Sequence, residues 1–464
     1  VTDIAPTANN GSAATLAGVA VSGSLSATPA YSGQILTYSL AGSPTNGTVS
    51  ITNASTGAYT YTPKSGFAGS DSFTFKATDQ AGTASNTATV SVTVNDRPAT
   101  ANDGSVATTA DTSVNGTILA ATSYPGQTFT YSIVSSPAHG SLTLNNNMTG
   151  SFTYIPATGY VGADSFTFNA TDAYGTVSNT ATESVTVNDT APTALAGTDS
   201  TSPDVAVSYT LAAGAYAGQT LTFSVAANPA HGSVTITNAG TGAFTYTPAQ
   251  GFAGSDGFTF KVIDQYGSSS TATETIVVID QAPVASGGNI LTSPDLGVNG
   301  TLPAMAAYAG QTLTFSVSAN PSHGTFNITN ASTGAFTYTP ATGYAGTDSF
   351  AYQVTDQWGA SATATESVTV NDIAPTISGT TAFSMTHNTT HSGSFTSTPQ
   401  YSGQVLTFGV VTNPAHGTLT LNATTGAYTY KPATGYKGSD SFSVNVTDQW
   451  GTASNTLTVT VSVK

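Results

Sequence analysis

Asp recurs along this chain at a fixed interval. Asp79, Asp172, Asp264, Asp356 and Asp448 each open a "D..G" turn and stand 93, 92, 92 and 92 residues apart. A second series, Asp71, Asp164, Asp256 and Asp348, falls in "G.D.F", and a third, Asp96, Asp189, Asp280 and Asp372, falls in short junctions such as "VND". Carboxylates so arranged could do acid–base chemistry, hold a hard cation, or accept backbone N–H groups in turns.

Acid–base catalysis is the poorest fit. A glycosidase-like carboxylate pair needs a cleft of its own, whereas here one Asp pattern returns in every unit, as scaffolding does. No "G.S.G" elbow is present for a serine nucleophile. His139, His231, His323 and His416 sit one per repeat in "P.HG", with Asn46 at the matching place, so they read as turn residues and not as a shared metal site. His387 and His391 lack a helical setting that would bring them together. Lys76 and Lys261 share a strand position in two repeats only, so a systematic Lys–Asn cross-link is not expected. We expect no enzyme.

Composition narrows the partners. The net charge is -16, from seven Lys and Arg against 23 Asp and Glu, which excludes phosphate-backbone recognition of nucleic acid. Only 6% of residues are charged, against about a quarter in ordinary domains. Cysteine is absent, so disulfides play no part. No stretch is apolar enough to span a membrane. The opening "VTDIAPT" has no signal-peptide character and copies the internal "VNDIAPT" at 370–376, so the chain reads as a mature product or an excised segment.

These residues are positioned by strands. The Gly33, Gly126, Gly218, Gly310 and Gly403 series gives the same period, 93, 92, 92 and 93, close to the roughly 100 residues of a small β-sandwich. Segments such as "QTFTYSIV", "GSFTYIP" and "DSFTFNAT" alternate apolar and polar residues, the signature of strands buried on one face. No helical period appears. The sequence therefore predicts an all-β chain of five tandem immunoglobulin-like, cadherin-like β-sandwich domains in an elongated rod, with units at 1–96, 97–189, 190–280, 281–372 and 373–464.

The combination of "P.HG", "TG.(F/Y)TY.P", "G(F/Y).G.D.F" and "D..G" resembles the bacterial cadherin-like and immunoglobulin-like tandem repeats of giant surface adhesins and other secreted multidomain proteins. The resemblance runs through all five units. The junction "VTVNDIAPT" is also similar to the cadherin linker, and so implies calcium between domains, although the acidic clusters of true cadherins are not visible. Strand counting adds a specific expectation. In "DSFTFNATD–AYGTVS–NTATESVTVND" the strands run antiparallel, which places Asp164 and Asp189 at the pole opposite Asp172. Head-to-tail stacking then groups Asp71, Asp96 and Asp172; Asp164, Asp189 and Asp264; Asp256, Asp280 and Asp356; and Asp348, Asp372 and Asp448. Three carboxylates with carbonyls and water approach the six to eight oxygens of calcium. The competing reading makes every one of them a turn former.

Tyr174, Tyr266, Trp358 and Trp450 follow the turn Asp, where the first unit has Ala81, and are expected to pack on the preceding unit; stacking on a sugar is the alternative. Glu183, Glu274 and Glu366 recur in "TATE" and are expected on exposed strand positions. Functionally the chain reads as a non-catalytic, extracellular or cell-surface stalk of a prokaryotic adhesin-like protein. The alternatives are a self-assembling filament, sheath or surface-layer subunit, with a homo-oligomer as partner, and a glycan-binding array. With an eleven-residue strand spanning roughly 35 Å, five units would reach about 200 Å.

Overall fold

Thr, Val, Phe and Tyr at alternate positions make extended chain the favourable state, because each strand can then bury one row of side chains and leave its polar row in water. The computed structural model, which describes residues 3–464, follows that pattern: strands and turns throughout, with no helix among the described residues.

The first unit shows the plan. Its strands are β1 (Thr7–Asn9), β2 (Gly11–Leu16), β3 (Val21–Ser24), β4 (Ser26–Thr28), β5 (Leu36–Gly42), β6 (Gly47–Asn53), β7 (Ala58–Pro63), β8 (Gly69–Asp79) and β9 (Ala88–Asn95). One sheet has the order β2-β9-β8-β5 and the facing sheet β3-β7-β6, with a small β1-β4 pair beside them. All pairings are antiparallel except β2 with β9, which is parallel. A bulge between Leu40 and Gly42 shifts the register of β5 against β8. The same arrangement recurs along the chain.

Each sandwich closes on its own apolar cluster. In the first unit Phe73 and Phe75 on β8 face Tyr59 and Tyr61 on β7, with Val90, Val92 and Val94 beside them, all at most 4% exposed. Phe73 meets Tyr59 edge-on at 5.1 Å between centroids, a favoured aromatic geometry. Four further clusters follow, built around Phe166 and Phe168, Phe258 and Phe260, Phe350 and Tyr352, and Phe442 and Val444. Tyr124 joins the first cluster although it lies beyond that unit's last strand.

Candidate functional site

The junction Asp and the turn Asp meet. Asp96 follows β9, and its Oδ1 accepts the hydroxyl of Tyr124 at 2.8 Å. Asp172, at the end of strand Gly162–Asp172, accepts the N–H groups of Tyr174 and Thr176 on Oδ1. Its Oδ2 accepts the amide of Gln127 at 3.0 Å, and the same amide nitrogen donates to the carbonyl of Arg97 at 2.7 Å. Gln127 therefore clips the linker to the turn. Burial by itself would raise the Asp96 carboxyl. The hydroxyls of Thr176 and Tyr124 and the Arg97 backbone outweigh it and hold Asp96 below the ordinary range.

The seat is repeated. Tyr216 holds Asp189 while Gln219 joins Asp264 to Thr190 O. Tyr308 holds Asp280 while Gln311 joins Asp356 to Gln281 O. Tyr401 holds Asp372 while Gln404 joins Asp448 to Ile373 O. At the start of the chain Gln34 joins Asp79 to Ile4 O, and Asp3 receives Tyr31 and Thr83. The Tyr and Gln come from "Y.GQ", present in every unit. Sequence reasoning used that motif only to measure the period; a polar Gln fixed beside a fixed Gly was the available sign of a second role.

The structure does not bring the third Asp of each expected group to this seat. Asp71 takes the N–H groups of Thr45 and Asn46 and the hydroxyl of Tyr61. Asp164 does the same with Ala138, His139 and Tyr154, Asp256 with Ala230, His231 and Tyr246, and Asp348 with Ser322, His323 and Tyr338. The reason is register. Asp71 pairs opposite Val92, four residues short of Asp96, about 13 Å along a strand, and alternation turns it toward the facing sheet. Among the described residues no group of three acidic or histidine side chains is placed to hold a metal. These inner carboxylates instead tie the two sheets of one sandwich together.

The two-carboxylate seat still has one feature that suits a cation. Asp96 Oδ2, Asp189 Oδ2 and Asp372 Oδ2 are buried without a hydrogen-bond donor, an arrangement that is costly unless something else approaches. Where a divalent cation is present, the junction and turn carboxylates of one seat are the oxygens available to it.

Above each seat the turn aromatic reaches the preceding unit. Tyr174 donates to Gly66 O at 2.8 Å and accepts Ala68 N–H at 2.9 Å. Gly66 N–H in turn donates to Pro125 O at 2.9 Å. Tyr266 donates to Gly159 O, and the indole N–H of Trp358 to Gly251 O at 3.1 Å. Trp358 stands edge-on to Phe252 and Trp450 to Tyr344, each 5.8 Å between centroids. The neighbouring backbones touch through glycine: Gly126 has φ +80°, and a Cβ there would lie 2.9 Å from Gly66 N.

The histidines are ring partners. His139 stacks on Tyr160, His231 on Phe252, His323 on Tyr344 and His416 on Tyr436, at 4.3 to 4.5 Å. The glutamates depart from expectation. Glu183, Glu274 and Glu366 are 3%, 4% and 3% exposed, because they share the inward face with the valines of their strands. Gly104 and Gly197 opposite provide the room.

The family models agree with this architecture. A model described as a bacterial Ig domain matches residues 95–188, 188–277 and 280–369. One described as a bacterial cadherin-like domain matches 3–96 and 371–464. No curated protein matches the sequence. Among solved structures, the protocadherin GammaB4 extracellular domain is similar at 16% identity and a TM-score of 0.27, with 99% of this chain and 84% of that one covered. The human desmocollin-1 ectodomain is similar at 15% identity and a TM-score of 0.24, with 92% of each covered. An endo-fucoidan hydrolase from glycoside hydrolase family 107 is similar at 18% identity and a TM-score of 0.20, with 60% of this chain and 45% of that one covered. From the family models, the chain belongs to the bacterial immunoglobulin-like domain family, with cadherin-like domains as its first and last units.

Proposed function

We propose that the chain is an extracellular stalk: a rod of five non-catalytic units, divided near Asp96, Asp189, Asp280 and Asp372, that holds another part of an adhesin-like protein away from a prokaryotic surface. The observation that carries this reading is the joint. At every junction the same Tyr, Gln and paired Asp seat the linker, and a turn aromatic packs on the unit before it. A joint bonded on both sides of the linker resists bending, which a spacer needs and a string of independent domains does not.

Calcium would strengthen the same joint. The carboxylates available to it are Asp96 with Asp172, Asp189 with Asp264, Asp280 with Asp356, and Asp372 with Asp448, and its charge would offset that of two adjacent acids. Small-angle scattering of the chain with millimolar calcium, and again with chelator, tests both statements. A particle about 200 Å long supports the stalk, and a chelator-dependent shortening supports the cation. A compact particle in both conditions overturns the rod.

A second reading, a subunit of a filament or layer, draws on unguarded sheet edges: β6 is an edge strand without Lys, where natural proteins commonly place charge against strand pairing.

A further inference from the structure

Glu183 and Glu366 lie at the bottom of two equivalent clefts. In each unit the two sheets leave one side open, where the strand parallel to the last strand faces the edge strand of the smaller sheet. In the fourth unit this gap, between Asn289–Thr292 and Val298–Thr301, is a cavity of about 240 Å³ lined by Glu366, Asn289, Asn299, Thr301, Ile290 and Phe336. In the second unit the matching cavity, about 340 Å³, is lined by Glu183, Asp103, Asn102, Ser105, Thr117 and Leu119.

We propose that these clefts bind a primary alkylammonium group, with Glu183 and Glu366 as its counter-ions. Glu366 Oε2 accepts only the N–H of Gly288, at 2.8 Å, and Oε1 is buried without a donor. An ammonium head supplies three donors and the missing positive charge. Ile290 and the face of Phe336, which share the inward side with Glu366, suit an alkyl chain and a cation. Burial pushes both carboxyls up, as expected of acids that lack a cationic neighbour. The chain's charge of -16 draws cations toward it.

The other units supply contrasts. Positions 116 and 300, on the cleft-side edge strand, are Gly, and Tyr209 takes that place in the third unit, opposite Phe244. The space beside Glu274 is therefore occupied by the protein's own ring. In the first and fifth units the Glu is replaced by Val90 and Val459, which also shows that the fold accepts an apolar side chain there.

The test is calorimetric titration of the full chain with n-butylammonium chloride, beside n-butanol and calcium chloride. Saturable binding at two sites per chain is expected for the amine and not for the alcohol. The E183Q/E366Q variant keeps shape and removes charge; its affinity should fall about tenfold or more, the effect of losing one charge-assisted hydrogen bond. E183V/E366V, which copies the flanking units, should lose binding as well. Absence of saturable amine binding, equal binding of n-butanol, or amine binding undiminished in both variants overturns the proposal. Calcium binding unaffected by E183Q/E366Q reports only the aspartate seats; if it is the sole cation response and the amine gives none, the proposal is overturned.

Discussion

Replacing Tyr174 with Phe removes one oxygen from the first joint and leaves its ring in place. That hydroxyl donates to Gly66 O at 2.8 Å and accepts Ala68 N–H at 2.9 Å, and Ala68 is only 6% exposed. Each bond contributes about 1 kcal/mol net, and a buried amide left unpaired costs about 1–3 kcal/mol. The joint should therefore lose about 2–3 kcal/mol. At 1.36 kcal/mol per decade, its opening equilibrium shifts by about 30- to 150-fold. Amide hydrogen exchange reads this directly, since local opening and global unfolding are resolved residue by residue. In Y174F the amides of Ala68 and Gly66 should exchange faster by about that factor, while Phe73 and Phe75 in the core keep their protection. Unchanged exchange at Ala68 would refute the claim that this turn holds the two units together.

Further outcomes follow from the same geometry. Gly126→Ala puts a Cβ at φ +80°, 2.9 Å from Gly66 N, and should weaken the same joint by about 1–3 kcal/mol, read as faster exchange at Gly66 with core protection retained. Asp164→Ala leaves the amides of Ala138 and His139 without their acceptor and the Tyr154 hydroxyl with only the longer bond to His139 O at 3.3 Å; calorimetry should show that unit destabilised by about 2 kcal/mol or more. For Asp164, burial works to raise the carboxyl, but the N–H donors of His139, Ser165 and Ala138 and the Tyr154 hydroxyl hold it below its ordinary value. Its stabilising effect is present above the unfolded value and lost as pH falls through the folded one, so acid should lower the melting temperature of wild type more than that of D164A. Glu274 runs the other way: burial, with Asp199 nearby, pushes it from 4.5 up to about 7. Its contribution is complete below 4.5 and lost as pH rises through about 7, so E274V should flatten the decline of the third unit's melting temperature between pH 5 and 8.

The repeat made the fold legible. Alternation in "DSFTFNATD" placed Phe166 and Phe168 on one face, and they are fully buried; the turn after Asp172 set the antiparallel pairing. The aromatics at 174, 266, 358 and 450 were legible too, because the counting that puts the turn at one pole also points it at the unit before. What misled was the glutamate series. Glu183 stands in phase with Val185 and Val187, so alternation alone would have sent it inward; its charge argued for water, and the deciding fact was Gly104 on the adjacent strand.

The sequence by itself determined the period, the strands, the five apolar clusters and the side of each unit that carries the turn, because these depend on residue type and local spacing. Only the tertiary structure decided which carboxylates share a seat. Asp71 and Asp96 are close in sequence and belong to the same pole by counting, yet one turns inward to Tyr61 and the other runs on to Tyr124. Which donor reaches a carboxylate first depends on strand register and on side chains from distant segments, and those meet only when the sheets pack.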